Sequence, residues 1–152
     1  MAGGRYAQAI GKNGEILALS VLAGRGVRIP ERFGPAVQMS LVRGVKGAYH
    51  IIPGDPVSGD INGILENGIR VIAEVKTVYD RNLRWSDLRK GQPEKLDMNK
   101  QYNGISLLVW VSGEGVFVMD WQYPNDDFGP GHGLTIAQAR LLDVMDVNQL
   151  VK

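Results

Sequence analysis

Apolar positions recur along this chain in two rhythms. Over residues 12–23 they follow a helical spacing, with Ile16, Leu19 and Leu22 or Ala23 on one stripe, and Gly24 and Gly26 stop the run. Residues 27–29 read as a short strand. Residues 30–58 are broken by Pro30, Gly34, Pro35, Gly44, Gly47, Pro53, Gly54 and Pro56, so much of that stretch reads as loop, with 37–42 and 49–52 as a pair within it. Strand-like runs follow at 60–65 and 69–78, joined at Glu66-Asn67-Gly68. Residues 94–102 suit a helix with Pro93 in its first turn. Residues 105–111 and 116–121 suit a hairpin turning at Ser112-Gly113-Glu114-Gly115. Thr135 is placed to cap a last helix running to about 145. The order of helix, strands, helix, strands, helix predicts one α/β domain over 1–152, with a mixed central sheet flanked by helices.

The register of the 60–78 hairpin follows from burial. A two-residue turn at Asn67-Gly68 would mix charges and aliphatic side chains on both faces. A three-residue loop with Gly68 left-handed instead pairs Leu65 with Ile69. One face then carries Ile61, Leu65, Ile69, Val71, Ala73 and Val75, apolar throughout apart from Gly63. Because a one-residue slip would turn that set to water, the second register is expected. It sets Asp60 opposite Glu74.

That pairing brings candidate chemistry into view. Glu74 and Lys76 lie two apart on a strand otherwise made of Val71, Ile72, Ala73, Val75 and Val78, so alternation sends carboxylate and ammonium to one face. Buried charges cost free energy unless they have partners or a task. Directly opposed residues have Cβ atoms ~5 Å apart, close enough for Asp60 and Glu74 to share a cation. Hard carboxylate oxygens suit Mg²⁺, with Mn²⁺ a possible substitute. Lys76 can orient a bound water or offset charge on a phosphate. The plainer reading of an E-x-K is a self-satisfying cross-strand ion pair, and on these residues alone it is preferred.

The order and spacing of the motifs change that balance. Gly59-Asp60-Ile61-Asn62-Gly63, followed fourteen residues after Asp60 by Glu74-Val75-Lys76, resembles the PD-(D/E)xK nuclease superfamily, most closely the Holliday junction resolvases of archaeal and phage type. Gly11-Lys12-Asn13-Gly14-Glu15 with Gly24-Arg25-Gly26-Val27 is similar to that family's first, glutamate-bearing helix. Lys95-Leu96 through Lys100-Gln101-Tyr102-Asn103-Gly104-Ile105 resembles its helix ending in Gly before an apolar strand. The likeness spans roughly residues 11–29 and 59–121. It departs where some thirty residues separate the first strand from Asp60, and where Gly59 stands in place of proline.

The resemblance implies a restriction-endonuclease-like core and Mg²⁺-dependent hydrolysis of DNA phosphodiesters at four-way junctions. It implies that Asp60 and Glu74 bind metal, that Lys76 assists the water, and that Glu15 approaches the same metal from the first helix. As a sequence feature alone, Glu15 is equally a first-turn acid favoured by the helix dipole. Two symmetry-related cuts imply a twofold homodimer on branched double-stranded DNA, with residues 107–121 or 134–151 as candidate interfaces.

Composition adds detail. The chain of 152 residues has no cysteine, so disulfides and thiolate metal sites are excluded. No apolar run approaches the ~20 residues of a membrane span, and the expected location is the cytoplasm, the host's if the protein is viral. Net charge is only +1, but residues 1–50 hold seven Lys/Arg against two acids, and residues 101–152 two against six. A basic face is therefore expected. Lys12, Arg25, Arg28, Arg43, Lys46, Arg81, Arg84, Arg89 and Lys90 are the candidates for phosphate contact. His50 and His132 have no metal-ligand spacing, and Gly129-Pro130-Gly131-His132-Gly133 reads as an irregular turn. Trp85 suits either base stacking or loop anchoring, while Trp110 and Trp121 read as core or interface. Other readings are a restriction- or repair-like nuclease, a non-catalytic DNA-binding module of the same fold, and an enzyme unrelated to nucleic acid.

Overall fold

Alternating side chains on the central strands need cover on two faces, and the computed structural model provides it. The structure describes residues 3–29, 37–41, 49–53 and 61–152, with side chains described for 13–29 and from 61 onward. Helix α1 (Gly3–Gly24) precedes β1 (Val37–Leu41) and β2 (Tyr49–Pro53). Strands β3 (Ile61–Ile64) and β4 (Arg70–Thr77), helix α2 (Gln92–Gln101), β5 (Ile105–Ser112), β6 (Gly115–Asp120) and α3 (Ile136–Leu142) follow. The chain is thus α/β, with a four-stranded sheet ordered β3-β4-β5-β6 and a separate antiparallel β1-β2 pair. The main sheet is mixed, since β4 and β5 run parallel while β3-β4 and β5-β6 are antiparallel. Central β5 is buried along its whole length, as a strand covered on both faces should be.

One face of the sheet packs on α1. Ile61, Leu65, Val71, Ala73, Val75, Leu107 and Val109 form a single core with Ala18 and Leu22. Helix and sheet approach closely because Gly14 lies against the Thr77 side chain, where any Cβ would collide. The helical stripe is therefore Gly14, Ala18 and Leu22, and the expectation that Ile16 lies on the core is corrected: Ile16 is 52% exposed. The helix also begins well before residue 12, at Gly3.

Strand β3 explains its own glycine. A Cβ on Gly63 would strike Val27 and the Arg28 carbonyl. That space lets Arg28 exchange backbone hydrogen bonds with Ile64 at 2.7 and 2.8 Å. The expected strand at 27–29 is a single bridge. Arg25 fastens the same corner: its guanidinium meets Asp143 at 2.5 Å and donates to the Val144 carbonyl at 3.0 Å. Asp143 also accepts from the Val118 amide at 2.8 Å. This second task for Asp143 goes with the end of α3 at Leu142, short of the expected 145. Thr135 caps that helix through a reciprocal bond pattern with Gln138, as its sequence suggests.

The other face carries a second core. Ile72, Leu108, Trp110, Met119 and Trp121 pack there with Leu83, Leu96, Phe128, Leu134 and Ala139. Trp85 stacks on Trp121 at 5.9 Å and meets Phe128 edge-on at 5.3 Å, so it anchors the polar 78–91 connection. Among the described residues, no helix is long and apolar enough to cross a membrane.

Candidate active site

The hairpin register is the one that burial requires. Ile61 pairs with Ala73 and Ile64 with Arg70, the Leu65 amide donates to Ile69, and Gly68 has φ of 86° at the left-handed position of the loop. Asp60, immediately before Ile61, lies outside the described residues. Its expected partner is Glu74, the next residue of β4 after Ala73.

Along β4 the faces separate cleanly. Val71, Ala73 and Val75 enter the α1 core, while Ile72, Glu74 and Lys76 point to the face on which α2 packs. Glu74 is only 1% exposed, so its carboxylate is deeply desolvated. The Lys76 ammonium stands 3.8 Å from Glu74 Oε1, the distance of an ion pair rather than a hydrogen bond. Lys76 keeps 14% of its side-chain exposure. A buried carboxylate is thus held beside a cation that still reaches solvent.

A third polar group shares this face. Asn62 pairs with Ile72 across the β3-β4 ladder, so it is the diagonal neighbour of Glu74. Its Oδ1 atom is buried and, among the described residues, has no hydrogen-bond partner. Buried carbonyl oxygens normally find donors, and one left without is expected to have a ligand-facing role or a cost. A hard oxygen beside a buried carboxylate fits the donor set that Mg²⁺ requires. In the sequence, Asn62 is signalled only by its alternation with Asp60.

Other expected residues are distributed differently. Glu15 is half-buried on α1, the helix packed against the Ala73, Val75 and Thr77 face, whereas Glu74 and Lys76 emerge on the opposite one. The structure therefore joins Glu74 with Lys76, and the residue before Glu15, Gly14, lies against Thr77 at the C-terminal end of β4. Arg25, an expected phosphate contact, is paired internally with Asp143. Arg81 forms a two-point bridge to Asp87 at 2.7 and 2.8 Å. That hydrogen bonding holds the Asp87 carboxyl below the usual carboxylate range and raises the Arg81 guanidinium. Arg28 makes only an exposed 3.5 Å pair with Glu66. Arg84, Arg89 and Lys90 are exposed on the connection leaving β4. Arg43, Lys46 and the Lys12 side chain lie outside the described residues.

Compared with known proteins, the chain matches no family model and no curated protein.

Proposed function

We propose that the chain is a metal-dependent, structure-selective DNA endonuclease acting at four-way junctions, built on a restriction-endonuclease-like core. The observation that carries this reading is Glu74, a carboxylate buried to 1% exposure and paired with Lys76 on the same face. A charge pair so placed is often no more stabilising than apolar packing, so its presence points to a task. The hairpin register up to Ile61-Ala73 favours Asp60 as its companion carboxylate, and the orphaned Asn62 oxygen fits the same role.

Asp60 and Glu74 would hold the cation, with Asn62 beside them. When bound, Mg²⁺ supplies Lewis-acid polarisation of the phosphodiester and lowers the pKa of a coordinated water. Glu74 fixes its carboxylate in a site of restricted solvent access, where electrostatic effects are stronger than in water. Lys76 provides a positioned ammonium that orients the attacking water or offsets charge developing on the phosphate. Arg84, Arg89 and Lys90 are available to hold flanking phosphates, which gives affinity without base readout. The protein acts as a homodimer in this reading, since a junction presents two scissile bonds.

The test is cleavage of a labelled four-way junction, a blunt duplex, a flap and a single strand, each with Mg²⁺ and with EDTA. Cleavage that needs the metal and favours the junction is expected. Preference for the blunt duplex would move the assignment to a restriction-like nuclease, and the absence of any cleavage would overturn it.

A further inference from the structure

On the face of the sheet that carries Glu74 lies a cleft of about 590 Å³ between the start of β4 and helix α2. Its lining includes Arg70 and Ile72 from β4, and Lys95, Met98, Tyr102 and Asn103 from α2 and its C-terminus. Alternation makes the wall continuous with the candidate active site, because Arg70, Ile72, Glu74 and Lys76 project in one row. The strand thus leads from a cationic cleft straight to the buried carboxylate.

The chemistry of the lining is selective. It contains two cations and no acid. Among the described residues, neither Arg70 nor Lys95 forms an ion pair, so their charges are available to an anion. Met98 and Tyr102 stand one helical turn apart on α2 and are 57% and 79% exposed. Tyr102 therefore offers an exposed aromatic ring to a cleft that also holds two cations. Asn103, at φ 65°, ends the helix in a left-handed turn directly after Tyr102.

We infer that this cleft binds a nucleic-acid strand bearing an unpaired base. Arg70 and Lys95 meet backbone phosphates, and the base stacks on Tyr102. A positive groove with an aromatic platform is the combination that unpaired strands use, since every base has a stacking face. An acidic peptide would satisfy the cations but leave Tyr102 without a matching surface. The row also suits a strand that continues to the site: Arg70 and Glu74 are four strand residues apart, ~13 Å. This inference rests on the nuclease reading only for the destination of the strand. It predicts that unpaired arms beside the cut are recognised, rather than paired helix alone.

The experiment is fluorescence anisotropy in EDTA, so that cleavage plays no part. The probes are a labelled oligothymidine, a splayed-arm duplex and a blunt duplex. The protein is the full chain, with its Arg70→Ala/Lys95→Ala and Tyr102→Ala variants. For the two probes with unpaired bases, the double variant should flatten the salt dependence by about 1.4 in log–log slope, two single-strand phosphates' worth. Tyr102→Ala should weaken their binding by between about fivefold and about a hundredfold, with Tyr102→Phe close to wild type and the blunt duplex little changed. Unchanged slope and affinity in both variants would overturn the inference, as would a wild-type protein that binds none of the probes. Displacement of the oligothymidine by a polyglutamate peptide at equal concentration would also overturn it, in favour of an acidic protein partner. Groove-dependent binding by a protein that cleaves nothing in Mg²⁺ would retain the cleft and remove the nuclease reading. Wild-type binding by both variants of a protein that does cleave junctions would do the reverse.

Discussion

Replacing both Glu74 and Lys76 by apolar side chains of similar size should leave the fold as stable as before, or more so. Their attraction at 3.8 Å is worth ~4 kcal/mol at an effective dielectric of about 20. Against this stands a desolvation penalty of several kcal/mol per ion for groups as buried as these. Glu74→Leu/Lys76→Met should therefore be neutral or stabilising by about 1–4 kcal/mol. Lys76→Met alone should instead cost about 3–5 kcal/mol, because it removes the cation beside a buried carboxylate. For a domain of this size that single loss lowers Tm by roughly 2–4 °C per kcal/mol. Urea denaturation of the wild type, both singles and the double closes the cycle. A double variant destabilised by several kcal/mol would show the two side chains to be structural, and would refute the argument that function retains them; a loss equal to the sum of the singles would show that they do not interact. A Lys76→Met cost under about 1 kcal/mol would refute the burial estimate itself.

Three further outcomes follow from single side chains. Arg25→Ala should destabilise by about 2–3 kcal/mol, since the pair with Asp143 is largely buried, and should leave the salt dependence of DNA binding unchanged in anisotropy titrations. Tyr123→Phe should cost nothing or stabilise slightly, because its hydroxyl is buried with no hydrogen-bond partner among the described residues. Burial pushes the Tyr123 phenol up to about 12, so its contribution is intact below the ordinary value of 10.0 and is lost as pH rises toward 12; alkaline denaturation should show that loss in the wild type and not in the variant. Asn62→Leu should raise stability without metal while weakening Mg²⁺ binding in calorimetry, and unaltered Mg²⁺ binding would remove Asn62 from the donor set.

What was legible in the sequence depended on periodicity. The β3-β4 register could be read because only one pairing gives a continuous apolar face, and Gly68 adopts the positive φ which that pairing needs. The same alternation puts Glu74 and Lys76 on one face. The α1 stripe was misread because its contacts are made by Gly14 and Ala18, small residues whose value is close approach rather than hydrophobicity. Arg25 looked like a surface cation, since Asp143, its partner, is 118 residues away and leaves no local trace. Trp85 reads equally as stacker or anchor until Trp121 and Phe128 are brought beside it. The cleft at Arg70 and Lys95 joins a strand to a helix, so neither segment announces it alone.

The central claim is that the buried Glu74-Lys76 face is a centre for metal-dependent DNA cleavage. The most direct measurement compares wild type with Glu74→Gln on one labelled four-way junction, recording cleavage in Mg²⁺ and affinity in EDTA. Glutamine keeps the size and loses the charge, so binding should be equal or tighter while cleavage falls by at least two orders of magnitude, as removal of a transition-state contact worth ~3 kcal/mol or more requires. Wild-type cleavage by Glu74→Gln at unchanged affinity would contradict the account.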